Sequence, residues 1–138
     1  MIVSITGPKG GKLDIEFQAY VLMLIRNFTK QLNIHRLKIH LQVNVHKGIY
    51  VDKDKTCEGL CEALDDRNFV IDVALYSNWV STLAHELVHV KQFARHELNE
   101  SLTHWKNKNY SKTEYWDQPW EKEARKLQRK LVQTFEGE

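Results

Sequence analysis

Apolar residues recur at steps of three and four in three stretches of the chain, which predicts three amphipathic helices. The first covers residues 14–31, with Asp14 as its candidate N-cap, because an aspartate there can accept from the free N–H groups of the first turn. The second covers 78–94 and follows Ser77, another candidate cap, while the third opens at Pro119. Each of these helices is expected to bury one face against a shared core.

Between the first two helices the pattern changes to alternation, which predicts strands. In residues 37–46 every second residue is Leu, Ile or Val, so one face is buried and the histidines of the other face point to solvent. The charged stretch 47–55 predicts a loop, and residues 56–64 and 69–75 predict the two strands of a hairpin. We therefore expect an α+β fold with a small, mostly antiparallel sheet, in a single domain covering 1–138.

The second helix carries the motif His85-Glu86-Leu87-Val88-His89, which reads H-E-x-x-H. Two histidines four apart on a helix lie on the same face, where both imidazoles can bind one zinc ion at about 2.0–2.1 Å. Glu86 is turned about 100° from His85, so it lies beside the metal and can take a proton from a metal-bound water. Composition alone produces the motif in roughly 3% of shuffled sequences, so its position on an amphipathic helix is what favours a zinc site.

A catalytic zinc ion takes a third protein ligand and keeps one position for water. The first turn of the third helix offers Glu121 and Glu123, which lie about 200° apart around the axis, so only one can face the metal. Glu121 lies closer to the apolar stripe, which favours it over Glu123. His104 is a further alternative, whereas His96 lies about 10 Å along the helix axis from His89 and cannot share its metal while the helix continues.

Residues 99–118 lack helical periodicity but carry four aromatic residues, Trp105, Tyr110, Tyr115 and Trp116. A stretch of this length without a regular element is long for a compact domain, so we expect a functional loop or an unrecognised hairpin. The aromatic side chains either line a substrate cleft or form a small core that anchors the loop.

Composition narrows the class of protein. A hydrophobic content of 42% and a charged content of 28% are typical of soluble globular proteins. The chain has neither an apolar run that could span a bilayer nor the basic start and apolar segment of a signal peptide, so we expect a cytoplasmic protein without a membrane partner. The net charge of +2 gives no argument for nucleic acid. Cys57 and Cys61 have no second pair, which predicts two buried thiols and no zinc ribbon.

The segments Leu83–Gln92 and Pro119–Ala124 together resemble the small zincin-type metallopeptidases, namely minigluzincin and SprT-like domains, including metallopeptidases of bacteriophage genomes. The paired pattern H-E-x-x-H and E-x-x-A carries this resemblance, which covers most of the chain. It implies a minimal zincin-like domain in which an N-terminal helix, a small sheet, the H-E-x-x-H helix and a C-terminal helix follow one another, with Glu121 as the third zinc ligand. The chain departs from SprT-type repair proteases because its predicted third ligand is a glutamate and no cysteine-based zinc ribbon follows. Their DNA-dependent activity is therefore not implied.

These residues predict a zinc metalloendopeptidase with Zn²⁺ as its cofactor, held by His85, His89 and Glu121. Zinc bound in this way lowers the pKa of its water toward about 7 and polarises the carbonyl of a peptide bond. Glu86 then accepts the proton of that water and later passes it to the leaving amine.

A second electrophile is expected where negative charge develops on the carbonyl oxygen. Tyr115 is the candidate, with Tyr110, His96 and His104 as alternatives. The predicted strand 69–75 leads directly into the metal-binding helix, so it could run along the cleft and pair through its backbone with an extended peptide or protein substrate.

Two other functions stay open at this point. The same zinc could be structural, in a non-catalytic module that binds a protein or nucleic acid, although a structural site has no use for the carboxylate of Glu86. The other is a nucleic-acid-associated protease, because the third helix has a basic face that could bind DNA. Salt-dependent DNA binding would test this function. This face is formed by Lys122, Arg125, Lys126, Arg129 and Lys130. The substrate sequence and the oligomeric state do not follow from these residues.

Overall fold

The computed structural model describes residues 1–52 and 55–137, and it has the α+β architecture that the sequence predicts. The described residues form three α-helices, which are α1 Ile15–Gln31, α2 Trp79–Ala94 and α3 Pro119–Glu136. They also form eight strands, which are β1 Ile2–Thr6, β2 His40–His46, β3 Tyr50–Asp52, β4 Lys55–Cys57, β5 Gly59–Ala63, β6 Asn68–Ala74, β7 His104–Trp105 and β8 Lys108–Asn109. None of the helices in this described part is long and apolar enough to cross a membrane.

Four strands form the main sheet in the order β1-β2-β6-β5. β1, β2 and β6 are parallel, with Val3 opposite Leu41 and Val43 opposite Ile71, whereas β5 is antiparallel to β6 with Cys61 opposite Ile71. The expectation of a mostly antiparallel sheet is wrong for this sheet, because two of its three pairings are parallel. Between β1 and β2, α1 crosses over and the chain returns in the same direction. Between β2 and β6, the chain first runs back as β5 and then turns into β6, which is therefore parallel to β2.

The segment between β2 and β6 differs from its predicted form. The charged stretch 47–55, predicted as a loop, contains β3 and the first residue of β4, while its residues 53 and 54 lie outside the described part of the chain. The predicted strand 56–64 is interrupted at Glu58, so its first part pairs with β3 and its second part pairs with β6. The predicted hairpin of β5 and β6 is confirmed.

The aromatic stretch 99–118 contains the hairpin that its length suggested. β7 and β8 are antiparallel, and the two residues between them, Lys106 and Asn107, have φ values of 49° and 71°. Positive φ at both central residues is what a tight hairpin turn of the right twist requires. A short 3₁₀ turn, Tyr115–Asp117, then leads into α3.

One core joins the sheet to the helices. The alternating apolar residues of β2 and β6 pack against the buried stripes of α1 and α2 in a single cluster. Its fully buried members include Phe28, Val43, Ile71, Leu83 and Leu87. Each such side chain contributes about 1.5–3 kcal/mol through burial alone. The helix that carries the H-E-x-x-H motif is therefore held against the sheet along its length.

The opposite face of the sheet is polar, as the alternation predicts. His40 is exposed, and His46 is partly exposed with its Nε2 2.8 Å from Oδ1 of Asp72. The amide of Asn44 donates to the same Asp72 oxygen at 3.2 Å. These histidines lie on the face away from the core, where the sequence placed them.

The ends of the helices test the predicted caps. Asp14 caps α1 as predicted, because its carboxylate accepts a hydrogen bond from the N–H of Phe17 at 3.2 Å. The predicted Ser77 cap is wrong, since α2 begins one residue later, after Asn78, whose side chain makes no capping bond. Pro119 opens α3 as predicted, at a position where its missing N–H costs nothing.

Candidate metal centre

Two histidines from α2 and one glutamate from α3 meet where these helices pack together. His85 and His89 lie one turn apart on the same face of α2, with their ring centroids 4.9 Å apart. Glu121 places one carboxylate oxygen 3.0 Å from Nε2 of His85 and the other 3.2 Å from Nε2 of His89. All three ligand atoms lie within 4.8 Å of one another, and no other such group occurs among the described residues.

The chemistry of this group fits a catalytic zinc ion. Two imidazole nitrogens and one carboxylate oxygen are a donor set that catalytic zinc sites use, with a fourth position left for water or substrate. His89 and Glu121 are each only 7% exposed, so their ligand atoms are largely shielded from bulk water. That these three residues bind zinc stays a prediction, but their side chains already converge.

The alternative ligands lie elsewhere. Glu123 accepts hydrogen bonds from Nζ of Lys91 at 2.9 Å and from the amide of Gln92 at 3.2 Å. His96 is exposed just beyond the end of α2, with a φ of 58°, and His104 is exposed on β7. None of these three belongs to the group that converges between α2 and α3.

Gln92 fixes the orientation of His89, and sequence reasoning missed it. Its side chain is fully buried, and its Oε1 lies 2.7 Å from Nδ1 of His89. Its Nε2 donates to the backbone carbonyl of Trp120 at 2.9 Å and to Glu123. Because both of those partners only accept, the amide nitrogen must face them, so Oε1 faces His89 and accepts from Nδ1–H. This leaves Nε2 of His89 directed at Glu121.

Gln128 does the same for His85. Its Oε1 lies 2.5 Å from Nδ1 of His85, and it follows Glu121 by two turns on the same face of α3. Ligating histidines commonly use their second nitrogen to contact such a partner, which sets the direction of the ring. The spacing Glu121-x₆-Gln128 was a readable signal for this contact, as was the three-residue step from His89 to Gln92.

The electrostatics of the group show how strongly its members interact. Burial alone would lower the pKa of His89, but its hydrogen bond with Glu121 and the charge of Glu86 raise it to about 9. Burial would raise the pKa of Glu121, but hydrogen bonds from His85 and His89 hold it well below its usual range. A metal ion held by these residues would take the place of the proton between His89 and Glu121.

Glu86 lies beside this group, as the 100° rotation predicts. It is 6% exposed, and its Oε2 is buried without a hydrogen-bond partner among the described residues. Burial raises the pKa of Glu86, against the lowering that His89 and His85 cause. A buried carboxylate oxygen without a partner costs free energy, so its presence indicates a role, such as holding a water molecule or a proton.

A cleft of about 380 Å³ opens beside His85 and Glu86. Its opposite wall is formed by Glu58, Gly59 and the residues just before them. Gly59 lies so close to α2 that a Cβ atom there would come within 2.4 Å of Cγ2 of Thr82. This glycine therefore lets the start of β5 lie against the metal-binding helix.

Tyr115 completes the rim of the cleft. It is 61% exposed, and its hydroxyl donates to Oε1 of Glu121 at 3.0 Å. Burial of the hydroxyl and the charge of Glu121 raise the pKa of Tyr115 well above its usual range, so the phenol stays protonated and able to donate. Of the predicted oxyanion candidates, Tyr115 is the one that lines this cleft.

The other aromatic residues of 99–118 have different surroundings. Trp105 is buried in the core, and Tyr110 contacts Trp120 with ring centroids 6.3 Å apart. Trp116 is 67% exposed and carries the guanidinium of Arg125, 3.9 Å from its ring centroid. Both interpretations of this stretch therefore apply, since one part anchors the loop and the other part reaches the cleft.

The strand that borders the cleft is not the one that the sequence suggested. β6, which leads into α2, lies inside the sheet with β2 on one side and β5 on the other, so its backbone cannot pair with a substrate. β5, next to β6, forms one edge of the sheet. The pairs Glu58–Ala74 and Leu64–Asn68 carry hydrogen bonds between β5 and β6, so the backbone groups of the odd-numbered residues 59–63 face away from β6.

The two cysteines form no metal cluster with other described residues and no disulfide. Both residues are half-buried overall, although the Cys61 thiol itself is buried, as predicted. Cys57 lines the cleft beside Glu86. Burial of the Cys61 thiol raises its pKa well above its ordinary value, so this thiol stays neutral.

Comparison of the chain with protein-family models, with curated proteins and with solved structures finds no match. Any functional conclusion therefore depends on the geometry of His85, His89 and Glu121 and on the cleft beside Glu86.

Proposed function

We propose that the protein is a zinc-dependent metallopeptidase that cleaves peptide bonds within a chain. The observation that carries this proposal is the convergence of His85, His89 and Glu121 within 4.8 Å, beside a buried Glu86 whose Oε2 has no partner in the described residues. A site that only stabilised the fold would not need an additional buried carboxylate next to its ligands, because that carboxylate costs free energy without holding the metal.

Zinc bound by His85, His89 and Glu121 would acidify a water molecule and polarise the carbonyl of the peptide bond. Glu86 takes the proton from the attacking water, and its raised pKa suits a group that must both accept and return a proton. The same carboxyl then delivers that proton to the leaving nitrogen. Gln92 and Gln128 hold the two imidazoles in place during this exchange.

Tyr115 supplies the donor for the negative charge that develops on the carbonyl oxygen. Its hydroxyl oxygen lies 3.0 Å from Oε1 of Glu121, so it is close to the predicted ligand atoms. Its side chain is largely exposed, which lets it turn from Glu121 to a bound substrate. A positioned donor of this kind is typically worth a hundredfold or more in rate, roughly 3 kcal/mol.

The edge strand β5 supplies the place for an extended substrate. The N–H and C=O groups of Gly59, Cys61 and Ala63 face away from β6, and the cleft begins at Gly59. A peptide that adds to this edge as a further strand passes directly over Glu86.

The decisive experiment compares wild-type protein with Glu86→Gln, both prepared with zinc and incubated with an unfolded protein such as reduced casein. We expect Glu86→Gln to keep its zinc, measured by metal analysis, and to lose at least a hundredfold in cleavage rate, because general base catalysis contributes about 10²–10⁴-fold. The proposal would be refuted if wild-type protein prepared with zinc retained none, or if the Glu86→Gln variant cleaved as fast as wild type.

A further inference from the structure

A second groove follows the cleft along the outer edge of β5. Along β5 the cleft reaches Gly59. The groove has a volume of about 620 Å³ and is lined by the next four residues of the strand, Leu60 to Ala63. Its other walls come from the end of α2, the loop after it and the polar face of the sheet. A strand advances about 3.3 Å per residue, so Glu62 lies about 10 Å from Gly59 along this path.

A peptide paired with β5 would turn its side chains alternately to the two faces of the sheet. One face of the groove is apolar, because it is lined by Phe93, Leu102, Ala63 and the neutral thiol of Cys61. Leu102 is 47% exposed although it belongs to this wall, so an apolar side chain from a peptide would bury surface that is now open to solvent.

The groove also carries acidic side chains, from the polar face of the sheet and from the loop after α2. Glu62 and Glu100 are exposed and line the groove together with Asp72. Nε2 of His46 lies 2.8 Å from Oδ1 of Asp72, and among the described residues no lysine or arginine lines the groove. Glu62 and Glu100 have no ion pair within the described part of the chain, so their charges are available to a ligand.

The acidic character increases where β5 ends. A neighbouring cavity of about 470 Å³ shares Phe93 and Glu100 with the groove and is lined also by Asp65 and Asp66. Hydrogen bonds from the backbone of Arg67 and from Asn68 lower the pKa of Asp65, so it is charged at neutral pH. His96 also lines this cavity, and no lysine or arginine among the described residues does. The path along β5 therefore leads from the metal centre into a region of negative potential.

We propose that the substrate is an extended basic peptide, whose lysine or arginine side chains reach Glu62 and Glu100 and whose apolar residues between them pack against Phe93 and Leu102. This inference rests on the proposed function for the location of the scissile bond, but the groove and its charges do not depend on zinc. The preference is opposite in sign to what the net charge of +2 would produce, because a weakly basic protein attracts acidic peptides non-specifically.

The test uses two fluorescein-labelled peptides of equal length, one alternating lysine with leucine and the other alternating glutamate with leucine. Binding to the zinc-loaded Glu86→Gln protein is measured by fluorescence anisotropy at low and at high salt. We expect the lysine peptide to bind about three- to tenfold more tightly at low salt, and this difference to shrink at high salt.

Three variants locate the preference. Glu62→Lys and Glu100→Lys should each remove most of it, whereas Glu136→Lys, which makes the same change of charge in the last turn of α3, should leave it intact. Equal binding of the two peptides, or an effect of Glu136→Lys as large as that of Glu62→Lys, would overturn the inference.

Cleavage of a third, uncharged peptide by wild-type protein separates this inference from the proposed function. If the uncharged peptide is cut and the charge preference is absent, the protein is a peptidase and the inference about its substrate is wrong. If no peptide is cut but Glu62→Lys still removes a preference for the lysine peptide, the groove binds basic peptides and the proposed catalytic function is wrong.

Discussion

The two sides of the cleft are built in opposite ways. On the α2–α3 side both predicted histidine ligands have a partner, because Gln92 and Gln128 contact the imidazoles and Glu123 and Trp120 hold Gln92. On the β5 side the outer backbone edge of the strand has no neighbouring strand among the described residues.

This difference separates two tasks. Fixed ligands lower the cost of ordering a metal site, because little conformational freedom is lost when the ion binds. An open strand edge offers hydrogen bonds to any extended chain, so specificity there depends on the side chains along the groove. Variants on the first side should therefore change metal affinity, and variants on the second side should change turnover while zinc is retained.

The largest effect is expected from Glu121→Ala. A zinc site is worth roughly 10–16 kcal/mol over its ligands, so the loss of one ligand should weaken zinc binding several hundredfold or more. Zinc affinity is measured by competition with a chromogenic chelator. Glu123→Ala is the matched control, because Glu123 lies two residues along α3 and contacts Lys91 and Gln92.

The outcome for this pair is unambiguous. Near-normal zinc affinity in Glu121→Ala, combined with a large loss in Glu123→Ala, would show that the wrong glutamate has been assigned. A large loss of zinc affinity in Glu121→Ala alone, with an unchanged far-UV circular dichroism spectrum, would establish Glu121 as the third ligand.

The helical part of this site could be predicted because helix geometry is local. The four-residue step from His85 to His89 and the apolar stripe of α3 near Glu121 are properties of single segments, so periodicity was enough to identify them. The direction of the strands could not be predicted, since pairing depends on which segments meet in three dimensions. β1 itself was not recognised, although Ile2–Thr6 is rich in residues that favour strands.

Gln92 shows a different limit. Its spacing from His89 is visible in the sequence, but its value as a support depends on the carbonyl of Trp120, 28 residues away. The expectation that β6 borders the cleft failed for the same reason. The sequence places β6 next to α2, but only the sheet order reveals that β5 covers its edge.

On the β5 side the largest expected effect comes from Gly59→Ala. The new Cβ would lie 2.4 Å from Cγ2 of Thr82 and 3.4 Å from Cγ of Glu86, so the start of β5 must move away from α2. A displacement of about 1 Å at such a site can reduce turnover roughly a hundredfold. We expect kcat/KM for a peptide substrate to fall by about this factor while zinc content stays the same.

Two further variants make this prediction specific. Gly48→Ala is the matched control, because a Cβ at Gly48 meets no atom within 4 Å. Thr82→Ser removes the clashing methyl group but keeps the hydroxyl that contacts Tyr76 at 2.6 Å, so the double variant with Gly59→Ala should recover much of the activity. Equal activity of Gly59→Ala and Gly48→Ala would mean that the position of β5 does not control turnover.

A smaller effect is expected from Gln92→Met, which keeps the side-chain volume but removes all three hydrogen bonds of the amide. His89 then lacks its acceptor at Nδ1, and loss of a partner of this kind typically costs 10–100-fold in metal affinity. Gln128→Met should have a smaller effect, because Gln128 is only half-buried and water can replace its contact with His85. Zinc affinity is measured for both variants by the same chelator competition, with Gln133→Met on the exposed side of α3 as the control. The comparison shows whether the buried amide of Gln92 contributes more to zinc affinity than the half-buried amide of Gln128. An equal loss in all three variants would mean that the fixed geometry of the α2–α3 side does not depend on these amides.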